Sequence, residues 1–182
     1  ARVVEAAIAS DYVTLITADH GNLETLWNED GTPHVAHTAN PVAFILVDPL
    51  MQSPLCLRDG KLADIAPTIL SALGLARPTG MSGSCLVAGY TWGGRRNVLL
   101  VILDGWGIGS RDASNPISLA PTPYWDGLLL RYPSCRLQAS GEAVGLQAGK
   151  AGNSEAGHLN IGAGRVVLQD DVRLDLAMSD GS

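Results

Sequence analysis

The segment Asn97–Leu103, NVLLVIL, is apolar at every position after its first and runs directly into Asp104. Successive side chains of a strand point to opposite faces, so a strand without polar alternation must be covered on both. That requirement predicts a sheet with helices above and below, and a central place in it for this strand. Tyr12–Thr17 (YVTLIT) and Val42–Val47 (VAFILV) have the same character, and the former leads into Ala18 and Asp19. Helical signals alternate with these runs. Arg2–Ser10 reads as the end of a helix, and Leu62–Leu73 has apolar positions at helical spacing closed by Gly74, with Pro67 disturbing its first half. Pro123–Tyr132 reads as a helix capped by Thr122, and Val166–Met178 as a further, acidic one. Glu24–Trp27 with the Asn28-Glu29-Asp30-Gly31 turn predicts a hairpin, and Cys135–Ala139 a strand that leads through a glycine-rich loop to Ser154. The alternation predicts an α/β fold with a mostly parallel sheet flanked by helices.

A chain of 182 residues is long enough for one core of ordinary size and too short for two. With 46% hydrophobic and 16% charged residues it is not a disordered tail. Its net charge of −6 supplies no basic footprint, which argues against nucleic acid and membrane as partners. No apolar run approaches the ~20 residues of a membrane span, and the opening residues do not form a signal peptide. Cys56, Cys85 and Cys135 are odd in number and outside any CxxC spacing, the pattern of a reducing, cytoplasmic compartment. Without an initiator Met, and ending on Asp180-Gly181-Ser182, the chain reads as cut at both ends. Gly80–Arg96 is rich in Gly, Ser, Thr and Arg and reads as a surface linker with few core positions. Residues 1–87 and 97–182 are then two segments of one domain, joined through 88–96.

Chemistry concentrates at the ends of the apolar runs. In a doubly wound sheet the loops after parallel strands converge on one edge, which would bring Asp19, Asp104 and Ser154 into one crevice. Ser154 lies in AGNSEAGHLNIGAG, where a strand-to-helix turn exposes its hydroxyl beside a helix start that favours phosphate. His20 and His37 add imidazoles, and the set suits Mn²⁺, Mg²⁺ or Zn²⁺. Each residue alone has a plainer role: the aspartates as turn formers, the histidines as hydrogen-bonded surface groups, Ser154 as a helix N-cap. His34 and His158 read as structural. The conjunction, not any member, points to phosphoryl transfer onto Ser154.

Val98–Gly107 (VLLVILDGWG), Ala139–Gly164 (ASGEAVGLQAGKAGNSEAGHLNIGAG), Ile16–Asn22 (ITADHGN) and Ala36–Pro41 (AHTANP) together resemble the cofactor-independent phosphoglycerate mutases of the alkaline phosphatase superfamily. The resemblance implies an alkaline-phosphatase-like fold and a divalent metal, Mn²⁺ above all, with two ions in a complete site. It makes Ser154 the residue that carries the phosphoryl group. Asp104, Ser154, Asp19 and His20 match the ligands of one metal, and His37 one ligand of the other. It further implies interconversion of 3-phosphoglycerate and 2-phosphoglycerate in glycolysis, through a phosphoserine shielded from water. Two departures qualify this. The order is inverted, residues 1–87 resembling the family's carboxyl-terminal part and 96–182 its amino-terminal part, as in a circular permutation or a junction of two gene copies. The rest of the second metal site and the substrate-gripping domain have no counterpart. The chain alone is therefore expected to lack mutase activity. The other readings are a metal-dependent phosphomonoesterase, and a non-catalytic metal-binding fragment that self-associates or joins a complementary piece.

Overall fold

The computed structural model describes residues 1–28, 30–51, 55–87, 89–90, 92 and 94–180. A five-stranded sheet has the order β3-β5-β2-β1-β4, from β1 (Val13–Thr17), β2 (Val42–Val47), β3 (Gly60–Lys61), β4 (Val98–Ile102) and β5 (Ser134–Gln138). Helices α1 (Arg2–Ala9) and α4 (Pro123–Arg131) cover one face; α2 (Ile65–Ala72) and α5 (Ser154–Ala163) cover the other. The α/β class follows the sequence reading. The sheet itself is mixed: β1 pairs with β4 and β3 with β5 in parallel, whereas β2 runs antiparallel to both β1 and β5. Four strands thus share a direction and β2 alone is reversed, because the long arm between β1 and β2 returns the chain from the same edge it left. Strands from either side of residues 88–96 interleave, with β5 seated between β3 and β2.

The apolar run at 97–103 forms an edge strand, not the central one predicted. Among the described residues β4 pairs only with β1, and all five of its residues are half-buried. Val98, Leu100 and Ile102 pack on the larger core while Val101 and Leu103 pack on the smaller. Continuous apolarity therefore reports coverage of both faces, not a neighbour on each side. β1 and β2, buried throughout, hold the centre.

The helices depart from the sequence reading in small ways. Leu62–Asp64 forms a 3₁₀ turn ahead of α2, so Pro67 falls in the first turn of α2, where its missing N–H costs no hydrogen bond. Gly74 ends this helix with φ 67°, a left-handed conformation that glycine adopts without strain. The arm after β1 carries isolated bridges, Gly21 to Thr38 and Trp27 to Pro33, in place of a regular hairpin; Glu29 of its turn lies outside the described residues. A short α3 (Pro116–Leu119) and a 3₁₀ turn at Gly141–Val144 were not signalled, and the last helix, α6, spans Asp170–Asp180.

The glycine-rich stretch is more than a linker. Ala88, Thr91 and Gly93 lie outside the described residues, but Leu86, Val87 and Trp92 are buried in the larger core. Trp92 Nε1 donates to Ser71 Oγ at 3.0 Å, and its ring meets Tyr90 edge-on at 5.0 Å. Arg96 clasps the buried Asp48 with both terminal guanidinium nitrogens, at 2.8 and 3.1 Å. Three large side chains spaced among small ones supply this anchorage without raising the average hydrophobicity of the segment. Leu86→Ala is expected to cost about 2–5 kcal/mol, the range for a fully buried leucine, measured as a shift in the urea midpoint. A change near zero would restore the linker reading.

Candidate metal centre and nucleophile

Asp19 and His20 follow β1, and Asp104 follows β4; because these strands are parallel and paired, their ends deliver the three residues side by side. One ligand atom from each lies within 4.8 Å of the others. Asp19 is fully buried. Its Oδ1 accepts the backbone N–H groups of His20 at 3.1 Å and Gly105 at 3.2 Å, which ties the two strand ends together. Its Oδ2 is buried without a hydrogen-bond partner, facing His20 Nε2 at 3.5 Å and His158 Nδ1 at 3.4 Å. An ionised oxygen left thus is costly unless a cation meets it.

The His20 ring is oriented by its surroundings. Nδ1 lies 3.1 Å from the Gly21 carbonyl, an acceptor only, so a neutral ring carries its proton there and offers the lone pair of Nε2. Nε2 in turn lies 3.0 Å from Ser154 Oγ and 3.3 Å from Asp104 Oδ1. Two carboxylates, an imidazole and a hydroxyl around one point form an oxygen-rich donor set that fits a divalent cation. The centre is asymmetric: Asp104 is 78% exposed whereas His20 is 1% exposed, so one wall is solvent.

Ser154 is the first residue of α5 but not its cap. Asn153 holds that position with extended φ/ψ, and its side chain accepts the Ala156 N–H at 2.8 Å. The plainer sequence reading of Ser154 as the N-cap is thus overturned, and its hydroxyl is free to face His20. The same helix start directs backbone N–H groups and a positive dipole end toward an anion held there. Close approach of α5 to the loop after β1 depends on Gly157, because a Cβ there would collide with the Asp19 carbonyl oxygen and sit 2.9 Å from Asp19 Cβ. Gly157→Ala is expected to push the helix off the loop, lowering stability by about 1–3 kcal/mol and weakening metal uptake. Unchanged thermal unfolding would count against this contact.

His37 lies beside the centre rather than within it. Its ring stacks on His20 with centroids 4.1 Å apart, and its Nδ1 faces the Gly152 carbonyl at 3.0 Å. Of the two histidines read as structural, His34 lies away from the centre with its Nδ1 2.8 Å from Asn28 Oδ1, whereas His158 Nδ1 lies at its edge, 2.8 Å from the Ser154 carbonyl and 3.4 Å from Asp19 Oδ2. Cys135 is no rival nucleophile, since burial and then the Asp59 carboxylate push its thiol up to about 12. The sequence reading passed over two residues, Asn153 and the buried Glu24. Asn directly before Ser-Glu carries a cap signal; Glu24 has no local signature.

The sequence profile of the Metalloenzyme superfamily matches residues 1–77 and 96–176. A 2,3-bisphosphoglycerate-independent phosphoglycerate mutase from Bacteroides thetaiotaomicron is 58% identical over 87 residues, which is 48% of this chain and 17% of that protein. The enzymes of the same name from Moorella thermoacetica, at 55%, and Methanosarcina acetivorans, its number 2 form, at 54%, match over the same shares. The matched region thus spans about one sixth of the length of these relatives. No solved structure matches the chain. Among the described residues no helix is long and apolar enough to cross a membrane.

Proposed function

This chain belongs to the Metalloenzyme superfamily, and on that premise we propose that it carries the serine and one metal centre of a cofactor-independent phosphoglycerate mutase. The observation that carries the reading is Ser154 Oγ, 3.0 Å from His20 Nε2 and next to the buried, unpartnered Asp19 Oδ2. Asp19, His20, Asp104 and Ser154 would hold one divalent ion, Mn²⁺ by resemblance to the family. His37 would serve a second ion whose other ligands this sequence lacks. The cation would make the serine hydroxyl more acidic and offset phosphoryl charge.

The chain's own residues do the rest. Asp19 and His20, fixed by backbone hydrogen bonds, hold the donor set in place before substrate arrives. The N-terminus of α5 receives the phosphoryl oxygens. Ser154 Oγ gives up its proton and forms its bond to phosphorus as the bond from phosphorus to the ester oxygen of 3-phosphoglycerate breaks, and that oxygen takes up a proton to leave as the glycerate hydroxyl. In the complete mutase of this reading the glycerate 2-hydroxyl then reverses the step, a glycolytic interconversion placed by this reading in the cytoplasm.

A second reading, metal-dependent phosphomonoesterase activity, is favoured by the 78% exposure of Asp104. Water that reaches this wall would hydrolyse phosphoserine before any glycerate reoriented. ³¹P NMR of the purified chain with Mn²⁺ and 3-phosphoglycerate, then with p-nitrophenyl phosphate, separates these outcomes. Inorganic phosphate together with phosphoserine at 154 is expected, without 2-phosphoglycerate. Accumulating 2-phosphoglycerate would overturn the expectation that the chain alone is incomplete. Neither phosphoserine nor phosphate from either ester would overturn phosphoryl transfer itself.

A further inference from the structure

Glu24 is 1% exposed, yet among the described residues the groups that hydrogen-bond its carboxylate are neutral. Oε2 accepts the Asn22 N–H at 2.8 Å and the Gly107 N–H at 3.1 Å. Oε1 accepts Asn40 Nδ2 at 3.0 Å and the Thr38 hydroxyl. These donors come from three separate stretches: the loop after β1 that bears Asp19 and His20, the loop after β4 that bears Asp104, and the segment before β2 that bears His37. Glycine lines the space around the carboxylate. A Cβ at Gly21 or Gly107 would collide with the Glu24 side chain, and one at Gly109 would crowd its Cβ and Cγ.

Two backbone N–H groups and the Asn40 amide are obligate donors and the Thr38 hydroxyl adds a fourth contact, so both oxygens of the Glu24 carboxylate serve as acceptors. Removing it would leave the buried Gly107 N–H with only its 3.1 Å contact to the Gly105 carbonyl of its own loop, and would loosen the loop after β4, which then meets the loop after β1 only through the Gly105 and Leu23 amides. We propose that Glu24 is a positioning residue for the metal centre: its carboxylate clamps the three ligand-bearing segments so that Asp19, His20 and Asp104 converge before any ion binds. The inference rests on the metal reading of those residues.

Glu24→Gln keeps the shape but replaces one acceptor oxygen by an NH₂: toward Asn22 and Gly107 it would oppose their N–H groups, and toward Thr38 and Asn40 it is accommodated only if the hydroxyl and the amide turn from donating to accepting, so the clamp is disturbed on one side or the other. The test is an EPR-monitored Mn²⁺ titration of the full chain as wild type, Glu24→Gln and Asp19→Asn, with amide hydrogen exchange on each metal-free protein. The expected result for Glu24→Gln is Mn²⁺ affinity weakened roughly 10- to 100-fold, as when groups that orient ligands are lost. Exchange should accelerate at one or more of the Asn22, Asn40 and Gly107 amides, those joined to the clamp, while α4 is unchanged. A folded Glu24→Gln chain with wild-type affinity, or with unaltered exchange at all three amides, overturns the inference. A wild-type chain that takes up no Mn²⁺ overturns the metal centre itself, and this inference with it. If Glu24→Gln does not fold, Thr38→Val removes one donor, leaves the carboxylate, and should weaken Mn²⁺ binding in the same direction; unchanged affinity there overturns the clamp.

Discussion

Ser154→Ala is expected to reduce Mn²⁺-dependent phosphate release by roughly a thousandfold or more, as removal of a nucleophile does in other covalent mechanisms. Folding should survive the change, because Asn153 and not Ser154 caps α5. The hydroxyl's close neighbour is His20 Nε2, so truncation deletes one polar contact at a half-buried position. The thermal midpoint of the metal-free variant should therefore lie close to that of the parent, within about 0.5 kcal/mol in stability. Following p-nitrophenyl phosphate hydrolysis beside thermal unfolding keeps the two effects apart. Release that continues at the parental rate would remove Ser154 from the chemistry, whatever its place beside His20.

Asp19→Asn is expected to have an equally large effect on a different quantity. At Mn²⁺ concentrations about 100 times its Kd, a ligand that binds only the folded state stabilises by about 2.7 kcal/mol. For a chain of this size that corresponds to about 5–10 °C in Tm. The variant should lose this Mn²⁺-induced shift. Its metal-free stability should hold or rise, because the amide oxygen can still accept from the His20 and Gly105 N–H groups while the uncompensated charge at Oδ2 disappears. Differential scanning calorimetry with Mn²⁺ and with EDTA measures both sides. A variant that retains the full Mn²⁺ shift would exclude Asp19 as a ligand.

Much of this arrangement is legible along the chain because its decisive residues end strands. Asp19, His20 and Asp104 stand directly after apolar runs, and parallel pairing of those runs is enough to bring them together. Ser154 is signalled by its glycine-flanked turn. What escapes the sequence depends on partners remote in the chain. The place of β4 at the sheet's edge is invisible because apolarity records the packing of Val98 and Val101 on opposite faces and nothing about neighbours within the sheet. Leu86 and Trp92 are hidden by the small residues around them. Glu24 gives no local sign because its donors come from Asn22, Thr38, Asn40 and Gly107, and only the folded chain gathers them.

The interleaving of β5 between β3 and β2 has a consequence for how the protein is made. While the first half emerges from the ribosome, β2 has no partner on one side and β3 has none at all, since each awaits Ser134–Gln138. At about 5–20 residues per second, that wait lasts several seconds. Through it the nascent chain holds an apolar strand, Val42–Val47, with an unfilled edge open to pairing with other chains. The edge of β2 is therefore open to misassembly during synthesis, before the strand that closes the gap has left the tunnel.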